Sequence, residues 1–285
     1  MFGLWRTVAS AVLYLTLAVG LGGLLGNGLV LWHLAFRIRK GPFAVYALHL
    51  AAADVLLLGC QVAFSVARAA LGARAALDFP VTFLAFAAGL GLLAAFSLEL
   101  CVAEVLPSCH AGCRPRHTSG AVCGLLWALT PPAVLLPADA CGLLRRGARP
   151  GACAGLHAAS VAWLLALVCA ACGAGLVLLV WAACCSSRPR PRFFGPVLGS
   201  ALLLALCGLP YVLYWSLRPL LSLLPPFLPL AGLLACVPPS ARPLLYFVAG
   251  RQPGQRQPLR AVLERALGDG APRGPGGLAL PMGTV

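Results

Sequence analysis

Gly26-Asn27-Gly28-Leu29-Val30 lies inside an apolar run that begins near Thr7 and continues to Phe36; Leu50-Ala51-Ala52-Ala53-Asp54 lies inside the next such run. Asn27 is the only asparagine of the chain and Asp54 the only acid of its run. Groups of this kind are costly in hydrocarbon unless they meet polar partners, so their presence on consecutive apolar segments predicts a helical membrane bundle with a polar centre. The segment between them is short and basic, with Arg37, Arg39 and Lys40.

Composition agrees. Of 285 residues, 61% are hydrophobic and only 10% charged, a surface that a water-soluble fold could not cover. The formal charge of +14 does not indicate a nucleic-acid partner, because the arginines cluster between apolar runs without interleaved aromatic residues. Thirteen cysteines cannot all pair, and most stand inside apolar runs as small packing residues.

About 20 residues are needed to cross the bilayer core. Seven runs qualify, roughly 7–34, 43–66, 80–102, 118–136, 158–183, 195–215 and 225–248, the fourth and seventh being short or rich in proline. The first run is too long for a cleaved signal and is expected to act as its own insertion signal. With the N-terminus outside, thirteen basic residues fall in the inner loops and tail and seven in the outer segments, which favours N-out and C-in. Beyond the seventh run, Leu259, Val262, Leu263 and Ala266 follow helical spacing, with Arg260, Glu264 and Arg265 between them. This is the pattern of a helix lying on the inner membrane surface, in contact with the lipid bilayer. The expected fold is therefore all-α: a seven-transmembrane bundle over 1–250, an amphipathic surface helix within 251–267, and a Gly/Pro-rich disordered cytoplasmic tail over 268–285.

Several motifs together resemble the class A (rhodopsin-like) G-protein-coupled receptors. They are Gly26-Asn27-Gly28-Leu29-Val30 on the first span and Leu50-Ala51-Ala52-Ala53-Asp54 on the second, Trp127 on the fourth, Pro210 on the sixth, and Pro243-Leu244-Leu245-Tyr246 closing the seventh. Gly28-Leu29-Val30-Leu31-Trp32, Cys207-Gly208-Leu209-Pro210 and a short segment before the first span are similar to the Mas-related receptors in particular. The resemblance implies a multi-pass receptor of the plasma membrane, often of sensory neurons. It would sense an extracellular peptide or small amphiphile and engage a heterotrimeric G protein at its inner face. It also implies a disulfide between Cys141 and Cys153, the only cysteines of the expected outer segments, although the residues alone leave two free thiols open.

Three departures from the family pattern bear on function. At the end of the third span, Glu99 keeps the family's acid, but Leu100 stands where the G-protein-contacting arginine is usual, so Glu99 loses its neighbouring cation and coupling is in doubt. Around Asp54, the positions that help hold sodium in many relatives are Gly89, Pro238, Pro239 and Arg242. Arg242 either pairs with Asp54 in place of a metal cation or extends toward the inner interface. Gly208 replaces a tryptophan one turn before Pro210, where a kink is expected. On the outer side, Pro137 and His157 occupy positions that carry acids in relatives recognising cationic ligands. Asp139 and Asp78 are the remaining outer acids against seven arginines, which suits an anionic or neutral amphiphile in a vestibule that includes Asp139 and His157.

Other signals carry less. Cys109, His110, Cys113 and His117 match no strong zinc spacing, and Arg114 and Arg116 oppose a cation, so no metal or other cofactor is expected. Cys184-Cys185 could be palmitoylated or simply packed. An opsin is excluded, because the single lysine, Lys40, lies in a loop. A transporter would explain the intramembrane charges, but the chain has no internal repeat. A receptor-shaped protein that acts through heteromers without signalling remains the alternative. No nucleophile–base constellation or phosphate loop points to an enzyme.

Overall fold

The computed structural model describes residues 2–37, 41–71, 77–108, 114–115, 117–144, 147–184, 193–218, 227–251 and 258–267. Among them, seven helical stretches are long and apolar enough to cross a membrane. They are α1 (Phe2–Phe36), α2 (Pro42–Leu71), α3 (Asp78–Val105), α4 (Thr118–Ala140), α5 (Pro150–Cys184), a sixth span made of α6 (Phe194–Leu203) and α7 (Leu209–Leu217), and α8 (Leu228–Gly250). The chain is an all-α seven-transmembrane bundle. Most helices outrun the apolar segments that announce them, because the backbone keeps its i→i−4 bonds past the hydrocarbon boundary. The fourth does so despite Pro131, Pro132 and Pro137, and ends only at Ala140.

α3 is the most buried of the seven and α1 the least. α3 packs against α2, α4 and α5, while α1 rests on α2 and α8. Two glycines set the closeness of α1 and α8. A Cβ on Gly23 would overlap the Ser240 side chain and stand 2.8 Å from its Cα, and one on Gly26 would stand 3.0 Å from Cγ of Pro243. Close backbone approach over small residues is the usual basis of helix association in lipid, where no hydrophobic driving force separates helix from solvent.

The sixth span is interrupted by a π-helical turn, Leu204–Gly208. Pro210 has no N–H to give to the carbonyl four residues earlier, and its ring crowds that carbonyl. Widening the turn relieves both problems, so the kink expected at Pro210 takes the form of a π-turn just before it. A side chain at Gly208 would meet Leu204 Cδ1 at 2.6 Å and Phe86 Cζ at 3.5 Å, so the turn leaves no room for a tryptophan there.

α9 (Leu259–Leu267) is the amphipathic helix, and Arg251, after α8, is extended. Val262, Leu263, Ala266 and Leu267 are buried, while Arg260 and Glu264 pair on the exposed face at 2.7 Å. Arg265 donates to the Gly250 carbonyl at 3.1 Å, and Gly250 lets α9 approach closely, since a Cβ there would lie 3.0 Å from the Val262 carbonyl carbon. The expected tail, 268–285, lies outside the described residues.

Gly23→Val should therefore destabilise the bundle by about 1–3 kcal/mol, the usual cost of overpacking. Thermal unfolding in detergent micelles checks this, with Gly22→Val as a control because a Cβ at Gly22 meets nothing within 4 Å.

Candidate functional site

The polar centre is built by α1, α2 and α8. Pro243 lacks an N–H, so the carbonyl of Pro239, four residues before it, loses its helical partner. Asn27 on α1 supplies the donor. Its Nδ2 gives one hydrogen to Pro239 O at 2.8 Å and another to Gly23 O at 2.9 Å. Ser240 reinforces the seam, donating to Val19 O at 3.1 Å. The prolines that make α8 an irregular helix thus make it depend on α1.

One turn from this contact, Arg242 Nη1 on α8 donates to Asp54 Oδ1 on α2. Both side chains are buried, Arg242 at 5% and Asp54 at 2% exposed, so the guanidinium turns inward rather than toward an interface. The space around the pair, bordered by Gly89, Leu204, Pro238 and Pro239, is only about 10 Å³, at the lower limit for a single water. Asp54 Oδ2 and Arg242 Nε have no hydrogen-bond partner among the described residues, so the pair is incompletely satisfied.

At the end of the bundle opposite the N-terminus, Leu100 is buried at 1% exposed inside the apolar core. Glu99 is not stranded as the sequence implies. Arg114, beyond the end of α3, pairs with its carboxylate and also donates to Ser119 Oγ on α4. Tyr46 on α2 lies beside the same carboxylate. The reason is geometric: the cation lost from the adjacent position is replaced by one that the chain brings back after leaving the helix. Tyr246 is buried on α8. Of the Cys/His group, His117 is described, and Cys109, His110 and Cys113 lie outside the described residues, as does Cys185.

At the N-terminal end, Cys141 and Cys153 form a disulfide. The backbone reinforces it, because Arg149 N donates to Ala140 O at 2.9 Å, binding the start of α5 to the end of α4. Asp139 sits two residues before one half-cystine and His157 four residues after the other. His157, half-buried, leans on the end of the sixth span. Its Nε2 lies 3.2 Å from the Ser216 carbonyl and its ring 5.4 Å from that of Trp215. Asp78 pairs with Arg68 at 3.3 Å.

The sequence reading did not anticipate an aromatic plug between α3 and α7. Trp215 stacks on Phe83 with centroids 4.5 Å apart, and Phe79, Phe86, Tyr211 and Tyr214 close around them. Tyr211 shares a 2.8 Å hydrogen bond with Thr82, and the Arg218 guanidinium lies 4.5 Å over the Phe79 ring. Phe79, Phe83 and Phe86 recur at helical spacing on α3, as do Tyr211, Tyr214 and Trp215 on α7, a signal that was available.

Seven helices around a buried Asn–Asp–Arg centre, a disulfide joining the fourth and fifth spans, and an amphipathic helix after the seventh describe a G-protein-coupled receptor. The chain is 63% identical over its whole length to the human Mas-related G-protein coupled receptor member G, covering 99% of that protein, and 53% identical to the mouse member G with the same coverage. It is 41% identical to the human member E over 92% of this chain and 87% of the relative. No family model matches it. The chain belongs to the Mas-related G-protein-coupled receptor family, a family of multi-pass membrane receptors rather than enzymes.

Removing one member of the buried pair, as in Arg242→Leu or Asp54→Leu, should cost about 3–5 kcal/mol, while the double replacement should lose much less than the two single losses together. A double-mutant cycle by thermal unfolding reads this directly. The parent should also unfold at the same temperature in sodium chloride and in choline chloride of equal ionic strength; a rise specific to sodium would mean that the guanidinium does not replace the metal. Cys141→Ser with Cys153→Ser should lower stability by about 2–3 kcal/mol, from the loop-entropy estimate for a short closed loop, measured as a fall in unfolding temperature that reducing agent reproduces in the parent.

Proposed function

We propose that the chain is a plasma-membrane receptor with its N-terminus outside and its C-terminus in the cytoplasm, sensing an anionic or neutral amphiphile and coupling weakly to its G protein. One observation supports weak coupling above the others: Leu100 is buried in apolar packing at the position where an arginine normally reaches the G protein. The Glu99–Arg114–Ser119 chain adds to it, since a cation tied between α3 and α4 must be released before the inner end can rearrange. The coupling and switch set in this reading comprises Glu99, Leu100, Pro210, Pro243 and Tyr246. The outward set comprises Asp139 and His157 beside the Cys141–Cys153 bridge.

A second reading, in which the protein has the receptor's form and acts through heteromers without signalling itself, is favoured by the aromatic plug. Phe83 and Trp215 are fully buried where α3 and α7 would otherwise part around a ligand. A transporter gains no support from the centre, which is occupied by a closed ion pair in a space of about 10 Å³.

The test is basal G-protein activation by the parent and by Leu100→Arg at matched cell-surface expression. The parent should stay near background and Leu100→Arg should exceed it several-fold. Equal activation by both would show that leucine is tolerated there and would end the weak-coupling proposal.

A further inference from the structure

The plug raises the question of where a small ligand could enter. The geometry points to a separate site: a crevice between the N-terminal ends of α1 and α8 and the C-terminal end of α2 that holds the acidic head of a single-chain amphiphile, with its tail lying outside along the helices. This deepens the proposed ligand class, and it rests on the proposed orientation only for placing the crevice in the outer leaflet.

The crevice has a volume of about 180 Å³ and is lined by Ser10, Thr16, Gln61, Ser65 and Arg68 among apolar neighbours. Each of these side chains carries an N–H or O–H, the Thr16 hydroxyl already donating to Val12 O at 2.7 Å, and no carboxylate lines the space. Thr16 and Ser65 are buried while Gln61 and Arg68 are half-buried and Ser10 is exposed, so the polar lining runs from the surface into the bundle. Arg68 gives Nη2 to Asp78 at 3.3 Å, but its Nε is buried with no hydrogen-bond partner among the described residues. The Gln61 carboxamide lies against α8, held there because Gly232 has no side chain; a Cβ would come within 2.8 Å of Gln61 Nε2. A donor-rich space with an arginine N–H left over fits an acceptor-only head, a phosphate monoester or carboxylate.

Size supplies the rest. Pockets that enclose whole small ligands are usually about 300–1,000 Å³, so this one takes a head group and leaves a long tail outside. Val8, Tyr14, Leu15, Phe227 and Leu230 are exposed large apolar residues on α1 and around the start of α8, and offer that tail apolar surface facing lipid.

The test uses the full chain in phosphatidylcholine nanodiscs and a dodecyl phosphate carrying a diazirine near the end of its tail. Saturable labelling should map to α1 and α8, fall roughly tenfold in apparent affinity in Arg68→Gln, as loss of one charge-assisted hydrogen bond gives, and vanish in Ser65→Phe, which fills the crevice. Excess unlabelled dodecyl phosphate should compete, whereas inorganic phosphate and dodecyltrimethylammonium should not. Labelling centred on the α3–α7 rings, labelling unchanged in both variants, or absence of saturable labelling would overturn the site. Competition by inorganic phosphate alone would overturn its amphiphile character, and equal competition by the cationic amphiphile its preference for an anion. Because binding is read without signalling, equal basal activation by the parent and Leu100→Arg would end the weak-coupling proposal and leave this site standing, whereas loss of saturable labelling would overturn the site and leave that proposal untouched.

Discussion

A guanidinium set against a carboxylate in the apolar middle of the bundle is the constraint on which the other contacts depend. Neither charge can remain there alone, so α2 and α8 are committed to each other wherever Asp54 and Arg242 can meet. The commitment extends to α1 through backbone rather than charge. Three prolines strip N–H groups from α8, and Asn27 answers the carbonyl that Pro243 leaves without a donor. The glycines at 23 and 26 bring α1 near enough to do so.

The two ends of the molecule restrain α3 by different physics. At the N-terminal end its phenylalanines are held by ring stacking against α7, an interaction of broad area and little directionality. At the other end a single acid, Glu99, is held by an arginine outside its own helix. Receptor switching needs two arrangements of similar free energy, and both restraints lower the energy of the one described here. Leu100 has the same direction of effect, since it packs well where it is and offers nothing to a partner beyond the membrane.

The fold was legible because hydrocarbon punishes polarity so heavily that a lone Asn and a lone Asp mark an interior, and because helical spacing in Leu259–Leu267 names the face that will be buried. Arg242 was only half legible: a long side chain near a helix end can reach inward or outward, and the choice rests on where α2 places Asp54. Arg114 could not be read at all as a partner for Glu99, since the path of a loop is not encoded in any period. Helix ends were underestimated because apolar length reports the thickness of hydrocarbon, whereas hydrogen bonding continues into the polar zone, as α5 shows by beginning at Pro150.

The π-turn at Leu204–Gly208 has a consequence for how this gene can vary. Such a turn accommodates one residue more than an α-helix would over the same rise, and one residue corresponds to about 100° of azimuth. Removing a single codon from that stretch would shorten the sixth span by almost nothing. Because the extra residue rides within a widened turn, its loss would restore an ordinary α-turn and leave Tyr211 and Trp215 facing α3, at the cost of the crowding at Pro210 that the wide turn relieves. A second deletion, or an insertion, would find no surplus residue to absorb it and would act as a rotation of about 100°, so the length of the chain between Leu204 and Pro210 has one spare residue before it sets the compass bearing of every side chain that follows.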